Sequence, residues 1–217
     1  MKNLLFGFIM LCIMIGTPIL GWGGIANSEH DFSGKPWVNK KSACVVCHSL
    51  ESGRSKNSND MTWTHELSSA NYFTYSSQTL KSSLRQPEGV SLFCLSCHDG
   101  TVAIDAYGGR HGSEKTRKTL GTDLSKIHPV SFIYNDALAV MSGHLKRPSK
   151  SPSGLGGSIE EDLLKKGKME CTSCHDTHNR FYEENMLIRR DRGGSMGLCG
   201  ICHTSVPPGE IKMGHWE

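Results

Sequence analysis

Leu4 to Ile15 is an almost unbroken apolar run behind the positive charge of Lys2. A small-residue site, Gly24-Ile25-Ala26, follows it. Together they read as a signal peptide over residues 1–26, with cleavage before Asn27. The run is shorter than the roughly 20 apolar residues of a membrane span, and no later stretch approaches that length. Cys12 follows Leu11 rather than a small residue, which speaks against a lipoprotein signal. The expectation is export to the periplasm or the extracellular surface, with no membrane span.

Beyond residue 26 the apolar positions are scattered and sustain little periodicity. Ser158 opens the clearest helix, with Glu161 three residues on as a capping-box partner, an apolar face at Leu163 and Leu164, and Gly167 as the stop. A shorter helix is predicted over Asn135–Met141, with others around the cysteine-rich turns, and Val130–Tyr134 is the best strand. Residues 107–121 are Gly-rich and polar and read as a surface loop. Residues 146–158, Lys-Arg-Pro-Ser-Lys-Ser-Pro-Ser-Gly-Leu-Gly-Gly-Ser, read as a linker. The pattern predicts one mostly coil domain over 27–217, with short α-helices and little β. Two lobes, 27–145 and 159–206, would meet at the linker.

Composition sharpens this picture. With 26 of the 217 residues removed, 191 remain, aromatics are 7% of the chain and mean hydropathy is −0.35. That is lean for a self-sufficient core. The formal net charge is only +3, so neither a nucleic-acid partner nor an acidic tail is indicated.

The chemistry lies in a pentapeptide that occurs four times. Cys44-Val-Val-Cys47-His48, Cys94-Leu-Ser-Cys97-His98, Cys171-Thr-Ser-Cys174-His175 and Cys199-Gly-Ile-Cys202-His203 use eight of the nine cysteines. Cys-x-x-Cys-His is the attachment signature of c-type haem. Two thiols add across the haem vinyl groups, and the next side chain points to the iron as proximal ligand. The motif starts are 50, 77 and 28 residues apart, so any duplication is irregular. Paired Cys-x-x-Cys motifs also build zinc sites, and even cysteine counts in exported chains often mean disulfides. Neither requires a histidine after every second cysteine, and here none is missing. The fold class expected is therefore a multihaem cytochrome c organised around four covalent haem c groups, which supply the buried surface the sequence lacks.

The sixth iron position separates a wire from an enzyme. Outside the motifs the mature chain has His30, His65, His111, His128, His144, His178 and His215. It also has Met61, Met141, Met169, Met186, Met196 and Met213. Methionine would raise the potential, but it more often fills gaps between apolar groups. His178 lies three residues after His175 and is too near to reach the far face of its own haem, whereas a neighbouring haem is accessible to it. His128 precedes Pro129, which favours an extended approach. His65 follows Trp63, a candidate haem-packing neighbour. His111 and His144 sit in polar, glycine-flanked stretches that suit solvation, and His215 is in the tail.

Several strings recur together in one family. They are His30-Asp-Phe-Ser33, Trp63-Thr-His-Glu-Leu-Ser68, Thr74-Tyr-Ser-Ser77, Cys94-Leu-Ser-Cys-His-Asp-Gly-Thr101, Asp105-Ala-Tyr-Gly-Gly109, His128-Pro-Val-Ser-Phe132 and Cys171-Thr-Ser-Cys-His-Asp-Thr-His178. Over most of residues 30–203 the chain resembles the tetrahaem c-type cytochromes of metal-respiring bacteria. The resemblance is strongest to the outer-surface type that polymerises into extracellular cytochrome filaments. It implies bis-histidine haems in a continuous stack, with one iron ligated from a neighbouring subunit. It matches His65, His128 and His178 to distal ligands and His30 to the fourth, the intersubunit one. Related chains commonly carry a second histidine three residues after the first motif, where this chain has Glu51.

Three function classes follow. An electron-transfer protein needs closed, six-coordinate irons, and the supply of histidines favours it. A multihaem oxidoreductase needs an open iron with acid–base groups nearby. No motif here exchanges its histidine for lysine, and no convergent polar cluster stands out. A purely structural filament would not explain four redox cofactors. The expectation is a non-enzymatic electron carrier, working between redox donor and acceptor proteins or extracellular acceptors, as a homopolymer or as a soluble periplasmic protein.

Overall fold

The computed structural model describes residues 24–39, 42–49, 63–178 and 197–205. The apolar run at Leu4–Ile15, Met61, Glu51 and His215 lie outside them. The described chain is mostly coil, with few short helices and little sheet. Its elements are α1 (Gly89–His98), β1 (Phe132–Ile133), α2 (Asp136–Ser142), α3 (Ile159–Leu163), β2 (Lys168–Met169), a 3-10 turn at Cys171–Ser173, and α4 (Cys199–Cys202). Among the described residues no helix is long and apolar enough to cross a membrane.

Local signals account for most of these elements. The Ser158 side chain accepts from the Glu161 amide and the Glu161 carboxylate accepts from the Ser158 amide, so the capping box that starts α3 is closed on both sides. Asn135 caps α2 by accepting from the Leu138 amide at 2.9 Å, and Gly143 ends it at φ 69°, the left-handed stop that glycine favours. β1 lies within the Val130–Tyr134 segment and pairs antiparallel with β2, Phe132 opposite Met169.

Apolar burial is divided among three small clusters, and each takes in residues of an attachment motif. Val38, Val46 and Tyr107 pack with Val45 and Cys47 of the first motif. Tyr72, Leu95 and Leu124 gather around the second motif on α1. The largest cluster joins Phe132, Tyr134 and Leu138 to Ile159, Leu163, Met169 and Ile201, the last inside the fourth motif.

That third cluster alters the two-lobe expectation. It draws buried residues from both sides of 146–158, so the division at that segment does not separate two cores. Nor is the segment a free connector. Pro148 is fully buried, Ser153 is 1% exposed, and the Ser153 hydroxyl bonds the Gly157 carbonyl and the Asp162 carboxylate. The Ile159 and Glu160 amides donate to the Ser151 and Pro148 carbonyls at 2.9 and 3.0 Å. Short polar side chains and glycines here satisfy a tight loop rather than water.

Candidate haem-attachment sites

Each motif is a single turn of chain. The histidine amide donates to the first cysteine's carbonyl at 2.8 Å in Cys44–His48, 3.0 Å in Cys171–His175 and 2.9 Å in Cys199–His203. Cys94–His98 makes the same turn as the C-terminal end of α1. None of the eight motif cysteines is in a disulfide. Among the described residues no three His, Cys, Asp or Glu side chains converge as a metal cage.

Burial pushes four of the motif thiols above their ordinary range, to about 11 for Cys47 and Cys202 and to about 12 for Cys97 and Cys174. The hydrogen bond with Cys171, then burial, push Cys94 up as well. Cys97 feels Cys47, Cys94 touches Cys171, and Cys174 feels Cys202 and Cys199. The first motif therefore neighbours the second, the second the third, and the third the fourth.

Three of the histidines outside the motifs lie against motif histidines. His178 is stacked on His48, ring centres 6.4 Å apart and planes 13° apart. His30 is 6.0 Å from His98, and His128 is 6.3 Å from His203. An imidazole–metal bond of about 2 Å on each side, plus about 1 Å from each nitrogen to its ring centre, places two such centres about 6 Å apart. The His98 Nδ1–H donates to the Lys118 carbonyl at 2.9 Å, and His128 Nδ1–H to the Pro129 carbonyl at 2.9 Å. Both bonds leave Nε2 as the lone-pair nitrogen, the second-shell arrangement of a metal-binding imidazole. Burial lowers His30 to about 4 and moves His48, His128 and His203 the same way. Neutral rings are the form that ligates. Thiols and turn geometry fit covalent haem, and at the first, second and fourth motifs a pair of imidazoles stands ready to hold its iron.

The remaining candidates are placed as follows. The His30 ring lies against Phe32, whose ring continues into those of Trp37 and Tyr107. His65 is 4% exposed, with Nδ1 at 2.8 Å from the Glu66 carbonyl, Nε2 at 3.0 Å from the Ala103 carbonyl and 3.4 Å from the Cys97 sulfur. Its ring is thus turned to carbonyls beside the second motif. His111 is solvated near Glu66, and His144 is exposed beside Ser205. Met169 belongs to the largest apolar cluster and Met141 is exposed on α2.

Phe93, Ser91 and Glu170 join the sites beyond the residues the motifs single out. Phe93 stacks on Trp63 at 4.5 Å, between the first and second motifs. The Trp63 Nε1 and His48 Nδ1 atoms are buried without a hydrogen-bond partner. The Glu170 carboxylate accepts from the Ser91 amide at 3.3 Å and the Ser91 hydroxyl, so the flank of the third motif caps the helix that carries the second. An acidic residue directly beside a motif, as at Asp99 and Glu170, was the available signal.

A family model described as a doubled CXXCH motif matches residues 163–207, the segment that holds the third and fourth motifs. No curated protein matches the chain. The doubled motif indicates covalently bound haem c and a multihaem c-type cytochrome in electron transfer.

Proposed function

We propose that this chain is an exported tetrahaem c-type cytochrome that passes electrons one at a time between closely spaced bis-histidine haems. The observation that carries the reading is the set of three histidine pairs at 6.0–6.4 Å, each joining a motif histidine to one outside the motifs. Haem bound at the motifs would supply the Fe(III)/Fe(II) couple. The chain's own task is to anchor, orient and shield. Cys44, Cys47, Cys94, Cys97, Cys171, Cys174, Cys199 and Cys202 anchor. His48, His98, His175 and His203 would ligate the irons from the motifs, and His30, His128 and His178 would supply the second histidine at the second, fourth and first motifs. Closed coordination suits electron transfer, since little has to reorganise when charge moves.

The resemblance to filament-forming cytochromes supports a homopolymer outside the cell. A soluble periplasmic carrier is the second reading, and the position of His30 beside His98 of its own chain favours it. Electron microscopy of the purified native protein decides between them. Electron paramagnetic resonance of the oxidised protein tests the shared claim, because closed irons are low-spin. Rapid, stoichiometric carbon monoxide binding in the intact protein would instead indicate an open iron and an oxidoreductase.

A further inference from the structure

Fixed charge is distributed unevenly over the four motifs. The first is flanked by Ala43 and Ser49 and the fourth by Leu198 and Thr204, all uncharged. The second is followed by Asp99 and the third is preceded by Glu170. Both carboxylates are withdrawn from water, Asp99 at 5% exposure and Glu170 at 3%. Asp99 accepts from the Ser68 hydroxyl at 2.5 Å, the Tyr72 hydroxyl at 2.6 Å and the Thr101 amide at 2.7 Å. Glu170 accepts from the Ser91 amide and hydroxyl and from the Ser131 hydroxyl at 3.2 Å. All of these partners are donors, the set an acceptor-only carboxylate takes.

The fourth motif has the opposite charge. Lys146 Nζ donates to the Gly200 carbonyl, between the two cysteines, at 2.5 Å, and the Lys146 amide donates to the Cys202 carbonyl at 2.8 Å. Other charges near the motifs carry less weight. Lys115 Nζ reaches the Thr101 carbonyl from an exposed position where water screens it, and Lys168 is paired with Glu88. Asp176, buried directly after His175 and accepting from the His178 amide at 3.2 Å, adds to the negative charge beside the third motif.

Reduction adds an electron at the iron. A buried negative charge disfavours that electron and a nearby cation favours it, more strongly the less water intervenes. We propose that this chain has a built-in potential step: Asp99 and Glu170 hold the haems of the second and third motifs at the lowest potentials, and Lys146 holds the haem of the fourth at the highest. Electrons then collect at the fourth motif, which becomes the end from which they leave. The inference rests on the tetrahaem reading above.

Redox titration of the mature holoprotein, followed by optical spectra and by NMR of the haem methyl groups, is the test. Asp99→Asn and Glu170→Gln should each raise one of the two lowest couples. Lys146→Gln should lower the highest. A tenfold change in a one-electron reduction equilibrium corresponds to roughly 59 mV and is the scale to expect. Tyr72→Phe and Ser131→Ala disturb the same networks but keep the charges, so they should not reproduce the upward shifts. If they do, packing rather than charge sets the potentials and the inference fails. Should Glu170→Gln yield no holoprotein, the opposite signs at Asp99 and Lys146 still decide. A wild type with fewer than four covalent haems overturns the tetrahaem reading and this inference with it. Four haems whose potentials ignore all the charge variants overturn the inference alone.

Discussion

The rings of His48 and His178 lie parallel, 13° apart in plane and 6.4 Å apart between centres. One belongs to the first motif and the other lies three residues beyond the third. A single side chain thus ties the flank of one attachment turn to the metal position of another, and its removal should be felt away from its own motif. His178→Ala should leave a high-spin, carbon monoxide-binding iron at the haem attached to Cys44 and Cys47. An open iron at Cys171 and Cys174 would show that the pairing is wrong.

His30 gives a second prediction. Its ring lies 6.0 Å from that of His98 in the same chain. His30→Ala should open the haem attached to Cys94 and Cys97 without changing the oligomeric state, as read by electron paramagnetic resonance beside light scattering. Loss of assembly together with the new high-spin signal would instead assign His30 the intersubunit role.

The capping box of α3 should be measurable in stability. Ser158→Ala removes the acceptor for the Glu161 amide and should cost about 1 kcal/mol in denaturant unfolding. Because α3 shares its cluster with Ile201, the same variant should loosen the fourth motif. Hydrogen exchange at the Ile201 amide reads that effect, and unchanged exchange would separate α3 from the site.

Acid should open the 146–158 loop. The Ser149 hydroxyl leads the contacts that hold Asp136 below its ordinary 3.8, and the Ser158 amide does the same for Glu161 below 4.5. Each folded carboxyl binds its proton later than the unfolded one. The stability they add is therefore present above about pH 4.5 and is lost as pH falls through the lowered folded values. The protection of the Ser149 amide against hydrogen exchange, relative to an unfolded chain at the same pH, should fall in that window, and Asp136→Asn should flatten the dependence. A loop equally protected at pH 3 and pH 6 would contradict it.

What was legible in the sequence was local. The four attachment turns, the cap of α3, the Asn135 start of α2 and the strand within Val130–Tyr134 all depend on residues a few positions apart. The pairings of His128 with His203 and of His48 with His178 join distant segments and leave no periodic trace. The ten-residue length of α1 was hidden too, since Gly-Val-Ser-Leu-Phe-Cys-Leu-Ser-Cys-His alternates small, apolar and sulfur side chains without a polar face, and its start is capped from Glu170. Residues 146–158 were misread because proline, serine and glycine look solvated in composition, whereas Pro148 and Ser153 are buried by side-chain-to-backbone bonds. The His65 ring lies against carbonyls that only the folded chain assembles.

Intact-mass spectrometry of the mature protein, made with a c-type maturation system and extracted with acid–acetone, tests the central claim most directly. The account predicts a chain beginning at Asn27 that retains four haem masses, with Cys97→Ser losing or weakening one attachment. Haem that extracts freely, fewer than four retained, or zinc in its place would contradict it.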